Sequence, residues 1–247
     1  MVKALLPGIL IATVLLFASV QPAHANLFVS LSAGGVTDSC NNSLAVTSTN
    51  CGSGFSLSIP NTITFTGTVD GYTVTTFSLS SNQSPTLGDV ADAVFFVQHT
   101  SGSSSDMLTV DFSTFNMTQP VGPMALSGTQ TVNWNQSVAT DNQTFQVWGQ
   151  SNNSLSGGVT TSPAVTTCTA GAAPPTNGCT KSASGATFTN TGQYALNAAE
   201  VISEAVGDTA NYTGTVDATA VPEPATFLLL GLSLSGFALV SRRKRAK

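Results

Sequence analysis

The stretch TITFTGTVDGYTVTTFSL, residues 62–79, decides the fold. Ile63 and Phe65 alternate with threonines, which is the period of a half-buried β-strand. Asp70-Gly71 follows, and an Asp-Gly pair between two alternating runs is a strong signal for a two-residue hairpin turn. We therefore predict an antiparallel hairpin whose returning strand covers residues 72–79.

Similar patterns predict further strands on both sides of this hairpin. The run 94–97 is apolar on both faces, which favours a central strand, and the turn 102–105 joins it to an alternating strand at 107–115. Further strands are predicted at 27–32, 131–134, 145–149, 187–190 and 208–216. Many short strands with closely spaced turn signals predict an all-β fold, an antiparallel β-sandwich that is jelly-roll-like or immunoglobulin-like.

Residues 193–206 are the one ambiguous segment of the chain. Their Ala, Leu and Glu content favours a helix. Their place at the end of an otherwise all-β chain favours a strand, and we expect a strand.

The first 25 residues are typical of a secretory signal. Lys3 precedes an apolar run from 4 to 20, and Ala23-His24-Ala25 forms an A-x-A cleavage site. We expect signal peptidase to cut there, so that the mature chain begins at Asn26. The alternative is an anchor helix that is not cleaved.

The opposite end, residues 221–247, has the reverse polarity. Val221-Pro222-Glu223-Pro224 precedes an apolar run from 225 to 240, and a basic end follows that includes Arg242, Arg243, Lys244 and Arg245. At about 1.5 Å per residue the run is about 24 Å long, a minimal transmembrane helix against a bilayer core of about 30 Å. The positive-inside rule keeps the basic end in the cytoplasm, so the domain at 26–220 lies on the far side of the membrane.

This three-part tail resembles the PEP-CTERM sorting signal of bacteria. The resemblance implies recognition by a membrane-embedded exosortase, cleavage near the motif, and release or attachment at the cell surface. In that family the tail often accompanies exopolysaccharide or biofilm genes. Two alternatives are a eukaryotic GPI signal, which normally lacks a basic end, and a plain membrane anchor that is never cut.

The charge of residues 26–220 is one-sided. They contain one cation, Lys181, and eleven of the twelve acids, which gives a net charge of −10. Nucleic acid is therefore not an expected partner, because phosphate binding needs clustered Lys and Arg. Acidic exported domains can bind Ca²⁺, but the sequence has no EF-hand or glycine-aspartate repeat. We expect no metal and no cofactor.

Four cysteines, Cys40, Cys51, Cys168 and Cys179, are expected to form two disulfides in an oxidising compartment. Three pairings are compatible with four cysteines. We favour Cys40–Cys51 and Cys168–Cys179, since each pair flanks loop sequence rich in Gly, Pro, Asn and Ser. A zinc site is not expected, because C-x-x-C spacing is absent.

The sequence does not predict an enzyme. His99 is the only histidine after the signal peptide, and it follows an apolar strand. Motifs of the G-x-S-x-G, H-E-x-x-H and P-loop kinds are absent. A secreted hydrolase would need His99 beside a Ser and an Asp, or a pair of carboxylates. Trp134 and Trp148, if exposed, are candidates for stacking on sugar rings, and otherwise they belong to the core.

The predicted hairpin also presents a threonine array. Thr62, Thr64, Thr66 and Thr68 share one face of the strand, and Thr73 and Thr75 fall on the same side. Phe77 and Leu79 are expected to share that face, which indicates burial at one end. A regular threonine array is what an ice-binding surface needs, but threonine is also simply a good strand residue.

These features favour an exported surface or extracellular-matrix protein with a non-enzymatic structural or adhesive role. The tail makes it membrane-anchored before processing, and then located at the cell surface or outside the cell. An extracellular polysaccharide is a candidate partner. The alternatives are a carbohydrate-binding or, less favoured, an ice-binding β-sandwich module, and last a secreted hydrolase.

Overall fold

The computed structural model describes residues 25–42, 51–58, 62–92, 95–103, 106–155, 162–171 and 177–222. The predicted signal peptide, apart from Ala25, lies outside the described residues. So do Glu223, Pro224, the predicted transmembrane helix and the basic residues from Arg242 to Arg245. Within the described ranges, no helix is long and apolar enough to cross a membrane.

The described part of the chain consists of β-strands joined by turns and loops. All pairings between its strands are antiparallel. The strands in chain order are β1 (Asn26–Ala33), β2 (Val36–Asn41), β3 (Phe55–Ser58), β4 (Thr62–Val69), β5 (Tyr72–Gln83), β6 (Leu87–Asp92), β7 (Phe95–His99), β8 (Leu108–Met117), β9 (Gly122–Gln136), β10 (Asn142–Gln150), β11 (Thr166–Thr169), β12 (Asn177–Asn190), β13 (Tyr194–Ser203) and β14 (Thr209–Ala220).

These strands form two sheets. The six-stranded sheet has the order β11-β10-β13-β8-β1-β2, and the larger sheet has the order β12-β9-β14-β6-β5-β4-β3, with β7 pairing both β14 and β5. One apolar core of alternate residues lies between them, with Leu31, Phe112 and Tyr212 among its fully buried side chains. The predicted all-β antiparallel sandwich is therefore observed, and the central position expected for the run 94–97 agrees with the two-sided pairing of β7.

The predicted hairpin is confirmed. β4 and β5 pair in register, with Val69 opposite Tyr72. Asp70 and Gly71 have φ angles of 37° and 85°. A positive φ at both central residues is the conformation of a type I′ turn, which Asp-Gly favours. The ambiguous segment at 193–206 contains strand β13, so the strand expectation is confirmed and the helix alternative is wrong.

A β-bulge changes which side chains of β5 face outward. Phe65 pairs with Phe77 and Gly67 with Val74, so Thr75 and Thr76 together oppose Thr66. Thr76 has a φ of 61°. The extra residue reverses the alternation, because a shift of one residue exchanges the two faces of a strand.

The bulge corrects one expectation about the hairpin. Phe77 and Leu79 point into the core and are 0% exposed. They therefore do not share a face with Thr73 and Thr75, as the uninterrupted alternation predicted.

The two disulfides join the sheets at both sides of the sandwich. Cys40 is bonded to Cys51, and Cys168 to Cys179, as favoured from the sequence. The first links edge strand β2 to the segment that leads into edge strand β3. The second links β11 to β12, which are the edge strands on the other side. Each disulfide thus closes a lateral edge where the chain passes from one sheet to the other.

The register places both ends of the described domain at one pole. Asn26 pairs with Phe115 near the end of β8, the chain continues from there into β9, and Met124 of β9 pairs with Ala220. We call this end the terminal pole; it comprises residues 25–26, 84–87, 118–123 and 220–222. We call the opposite end the distal pole; it comprises the turns and loops at 34–35, 70–71, 100–103, 106–107, 137–141 and 204–208.

The disulfides generate the first prediction. Replacing both partners of either bridge by serine should lower the free energy of unfolding by about 2–3 kcal/mol, because the unfolded chain loses a closed short loop. Urea unfolding of each double variant, Cys40→Ser/Cys51→Ser and Cys168→Ser/Cys179→Ser, measures this loss. Titration of the unfolded, unreduced protein with a thiol reagent is the control. Four reactive thiols there would contradict the pairing.

Candidate functional site

The sorting motif follows directly on a central strand of the larger sheet. The N–H of Ala220 donates to the carbonyl of Thr86 at 3.0 Å, and the N–H of Val221 donates to the carbonyl of Pro123 at 2.9 Å. Pro222, the next residue, is exposed. An enzyme that acts at Pro222 or just after it therefore works next to the folded terminal pole.

The two tryptophans do not form one surface. Trp134 is 2% exposed and belongs to the core, so it cannot stack on a ligand. The prediction that Trp134 could stack on a sugar ring is therefore wrong. Side chains of β9 point alternately to the two faces of the sheet, and Trp134 lies on the inner face. Trp148 is half-buried on the outer face of the six-stranded sheet, since the neighbouring Val147 points inward. The carbohydrate role of Trp148 stays a prediction.

The outer face of the larger sheet is covered by Thr, Ser and Asn side chains. The six threonines of the predicted array all lie on it, half-buried or exposed: Thr62, Thr64, Thr66, Thr68, Thr73 and Thr75. Neighbouring hydroxyls pair across strands. The Oγ1 atoms of Thr68 and Thr73 lie 3.3 Å apart. Two such contacts join β9 to β12, Thr129 to Ser182 at 3.0 Å and Thr131 to Thr180 at 3.1 Å. Thr68 and Thr73 of the array, and the Thr and Ser pairs between β9 and β12, therefore satisfy part of their hydrogen bonding with each other.

A different arrangement lies on the same face near the distal pole, where β9, β14 and β7 are neighbours. Asn133, Asn211 and Phe96 are directly opposed on β9, β14 and β7, and Gln98 lies two residues along from Phe96. We call these four residues the amide patch. The carboxamides of Gln98, Asn133 and Asn211 make no hydrogen bond with any described residue, in contrast to the paired threonines.

Sequence reasoning did not identify the amide patch. Phe96 lies in a run interpreted as apolar on both faces. The signal that could have found it is the alternation from Phe95 to His99, in which Phe96 and Gln98 share the outer face. The opposition of Asn133 and Asn211 depends on the register of strands far apart in the chain, which no local pattern reveals.

His99 ends strand β7 at the distal pole, as its place after an apolar run predicted. It is 0% exposed. Its ring stacks on Tyr72 with the ring centres 4.2 Å apart. Its Nδ1 donates to the carbonyl oxygen of Glu204 at 2.6 Å. The imidazole therefore binds a loop to the sheet, and a substrate has no direct access to it.

Three acids, Glu204, Asp141 and Asp208, form a cluster in the loops of the distal pole, and His99 is hydrogen-bonded to the backbone of Glu204 and Asp208. Glu204 is 1% exposed and accepts a hydrogen bond from the Tyr212 hydroxyl at 2.7 Å. Asp141 is also buried, and its two carboxylate oxygens each accept a backbone N–H at 2.9 Å, from Ala205 and Val138. The cluster ties the loops 137–141 and 204–208 to each other. The hydrogen bonds of His99 that the described residues show go to the loop 204–208 rather than to a serine hydroxyl. The described residues contain no group of three or more His, Cys, Asp or Glu side chains that could hold a metal ion.

Two acids of this cluster, Glu204 and Asp208, have raised pKa values because burial disfavours their charged forms. Burial is the largest cause that raises the pKa of Glu204 to about 9, and the charge of Asp141 adds to it. Burial also raises the pKa of Asp208 to about 6, helped by a hydrogen bond and repulsion from Asp141. The Glu204 carboxyl is therefore protonated at neutral pH, and it acts as a neutral hydrogen-bonding group.

Comparison with known proteins identifies one feature of the chain. Residues 220–244 match the PEP-CTERM protein-sorting motif, which confirms the resemblance seen in the sequence. Such a motif implies an exported protein that is processed by an exosortase and anchored in the membrane before processing. No curated protein matches the chain.

Among solved structures, the chain is similar to the enzymatically active domain of tailspike protein 4 from bacteriophage CBA120. The two share 11% sequence identity, and the match covers 57% of this chain and 19% of that one. The TM-score is 0.26, a likeness too low to carry an argument about fold or activity.

The pKa of Glu204 generates the second prediction. Between about pH 4.5 and about 9, the folded protein keeps this proton while the unfolded chain has lost it. The folded state then binds more protons, so stability should fall as pH rises through this window. We expect Glu204→Gln to remove much of this slope, measured as the midpoint of thermal unfolding in a pH series.

The control for this experiment is Asp38→Asn, a half-buried carboxylate on edge strand β2. It should keep the pH dependence of the unmodified protein. Identical slopes for the unmodified protein and for Glu204→Gln would contradict the assignment.

Proposed function

We propose that this chain is an exported bacterial surface or extracellular-matrix protein. An exosortase sorts it through its C-terminal tail, and its role is structural or adhesive rather than catalytic. The observation that carries the proposal is the PEP-CTERM motif at residues 220–244. The signal peptide at 1–25 and the membrane helix at 225–240 are the remaining parts of this proposal.

The position of the two chain ends supports the topology. A signal peptide before Asn26 and a membrane helix after Val221 would both leave the domain at the terminal pole. One pole then faces the membrane, and the distal pole and both outer sheet faces are directed to the surroundings. No rearrangement of the sandwich is needed to accommodate both membrane-bound segments.

The construction of the domain supports a role outside the cell. Two disulfides close the lateral edges of the sandwich, which suits an oxidising compartment. The outer face of the larger sheet presents uncharged Thr, Ser and Asn side chains over most of its strands. Such a face can form many hydrogen bonds with a hydrated polymer, and the association of this tail with exopolysaccharide and biofilm genes fits that setting.

The motif generates the third prediction. In the producing cell, the variant Pro222→Ala/Glu223→Ala/Pro224→Ala should no longer be processed. It should accumulate in the membrane fraction as a species that keeps the basic end, Arg242 to Lys247. Immunoblots of membrane, surface and medium fractions, with an antibody to the basic end, measure this.

Pro85→Ala is the matched control, because Pro85 is an exposed proline of the same pole outside the motif. It should be distributed as the unmodified protein is. If the triple variant reaches the surface and medium without its basic end, the motif is not the processing signal. If the unmodified protein itself keeps the basic end, the tail is a plain anchor.

A further inference from the structure

Phe96 is a half-buried aromatic residue on the polar outer face of the larger sheet, near the distal pole. Its directly opposed neighbours on that face are Asn211 and Thr75, which are both smaller than the ring. It makes no ring contact with another described aromatic side chain, whereas Phe95 beside it packs against Phe77 and Tyr212 in the core. Burial of Phe96 is therefore incomplete on the solvent side, where a flat apolar partner can stack on it.

The polar groups around this ring are free to bind a ligand. The carboxamides of Asn211, Asn133 and Gln98 have no hydrogen-bond partner among the described residues. Each carboxamide offers two donors and one acceptor oxygen, and all three lie on neighbouring strands of one sheet face. The row from Asn133 to Phe96 crosses two strand spacings, which is about 10 Å.

The chemistry of the amide patch matches a sugar. A pyranose ring has an apolar C–H face that stacks on an aromatic ring, and its edge carries hydroxyl groups that both donate and accept hydrogen bonds. Phe96 supplies the first contact, and the three carboxamides supply the second. The paired threonine hydroxyls elsewhere on the face offer fewer free groups.

The charge of the domain favours a neutral polymer. The amide patch has no ionisable side chain, and on the same face Asp217 lies six residues along β14 from Asn211, about 20 Å away. Residues 26–220 carry a net charge of −10, with Lys181 as their only cation. A polyanion would be repelled by this field and would find no cationic group in the patch.

We propose that the amide patch, formed by Phe96, Gln98, Asn133 and Asn211, is a binding site for a neutral polysaccharide. The inference rests on the proposed function, since it requires the outer face to meet extracellular polymer. In this proposal Phe96, rather than Trp134, is the aromatic residue that stacks on the sugar. The amide patch is separate from both the sorting motif and the acid cluster.

The test uses the processed protein recovered from the producing cell. The extracellular polysaccharide of the same cell is separated by anion exchange into a neutral and an anionic fraction. Each fraction is cast into native gels, and retardation of the protein is measured against polymer concentration. We expect retardation by the neutral fraction and none by the anionic fraction.

The variants locate the site. Phe96→Ala should weaken binding by about tenfold, the size expected for loss of an aromatic stacking contact. Asn211→Ala, which leaves the ring in place, should weaken it several-fold. Phe28→Ala is the matched control, because Phe28 is equally half-buried on the outer face of the other sheet. It should bind as the unmodified protein does. Thermal unfolding of each variant checks that the fold is kept.

Several outcomes would overturn the inference. These are absence of retardation by the neutral fraction, equal retardation by the anionic fraction, or unchanged binding by both Phe96→Ala and Asn211→Ala. If Phe96→Ala abolishes self-association in sedimentation while no polymer binds, the face contacts a second copy instead. Inhibition of ice recrystallisation without polymer binding would assign the face to ice. A protein that is correctly processed but does not bind leaves the sorting proposal standing, so the two proposals fail separately.

Discussion

The burial of alternate residues between two sheets is the interaction on which the rest of this structure depends. Because side chains point to opposite faces along a strand, packing Leu31, Phe112 and Tyr212 inward fixes the register of their strands. That register also decides what faces outward. It aligns Asn133, Asn211 and Phe96 in one row, and it brings residues 26 and 221 to the same pole. The candidate binding surface and the membrane-facing end are thus consequences of one packing pattern.

A scarcity of cations shapes the electrostatics of the exported domain. With Lys181 as the only lysine or arginine in residues 26–220, buried acids have almost no opportunity for ion pairs. At the distal pole, two buried acids are stabilised without an ion pair. Asp141 is satisfied by backbone N–H groups, and Glu204 is kept neutral and hydrogen-bonded to Tyr212. Burial of an unpaired carboxylate would be costly, so a raised pKa is the expected response. The outer face of the larger sheet, by contrast, is polar mainly through uncharged groups.

Local patterns in the sequence predicted much of this fold. The alternation and the Asp-Gly pair at 62–79 predicted the hairpin. The loop sequence rich in Gly, Pro, Asn and Ser between Cys40 and Cys51, and between Cys168 and Cys179, favoured the observed pairing. The short strands β2, β3, β6 and β11 were missed, because each has only four to six residues and so carries a weak local pattern. The bulge at Thr75 and Thr76 was missed because threonine suits both a regular strand and a bulge.

The candidate site was less predictable than the fold. The sorting motif is local and was recognised from its three parts. The amide patch joins residues from β7, β9 and β14, and the acid cluster joins His99 to Asp141 and Glu204, so both require the register of the sheets. For Trp134 the sequence left both a surface and a core position open, and its 2% exposure places it in the core. Long-range pairing, rather than residue type, decides these outcomes.

The central claim is that this is a sorted and processed surface protein, and intact mass measures it most directly. The protein should be recovered from the envelope and medium of the producing cell without heterologous expression. We expect a species that begins at Asn26 and ends between Pro222 and Ala225. A species that begins at Asn26 but still carries Arg242 to Lys247 would contradict it, because the tail would then be only a membrane anchor.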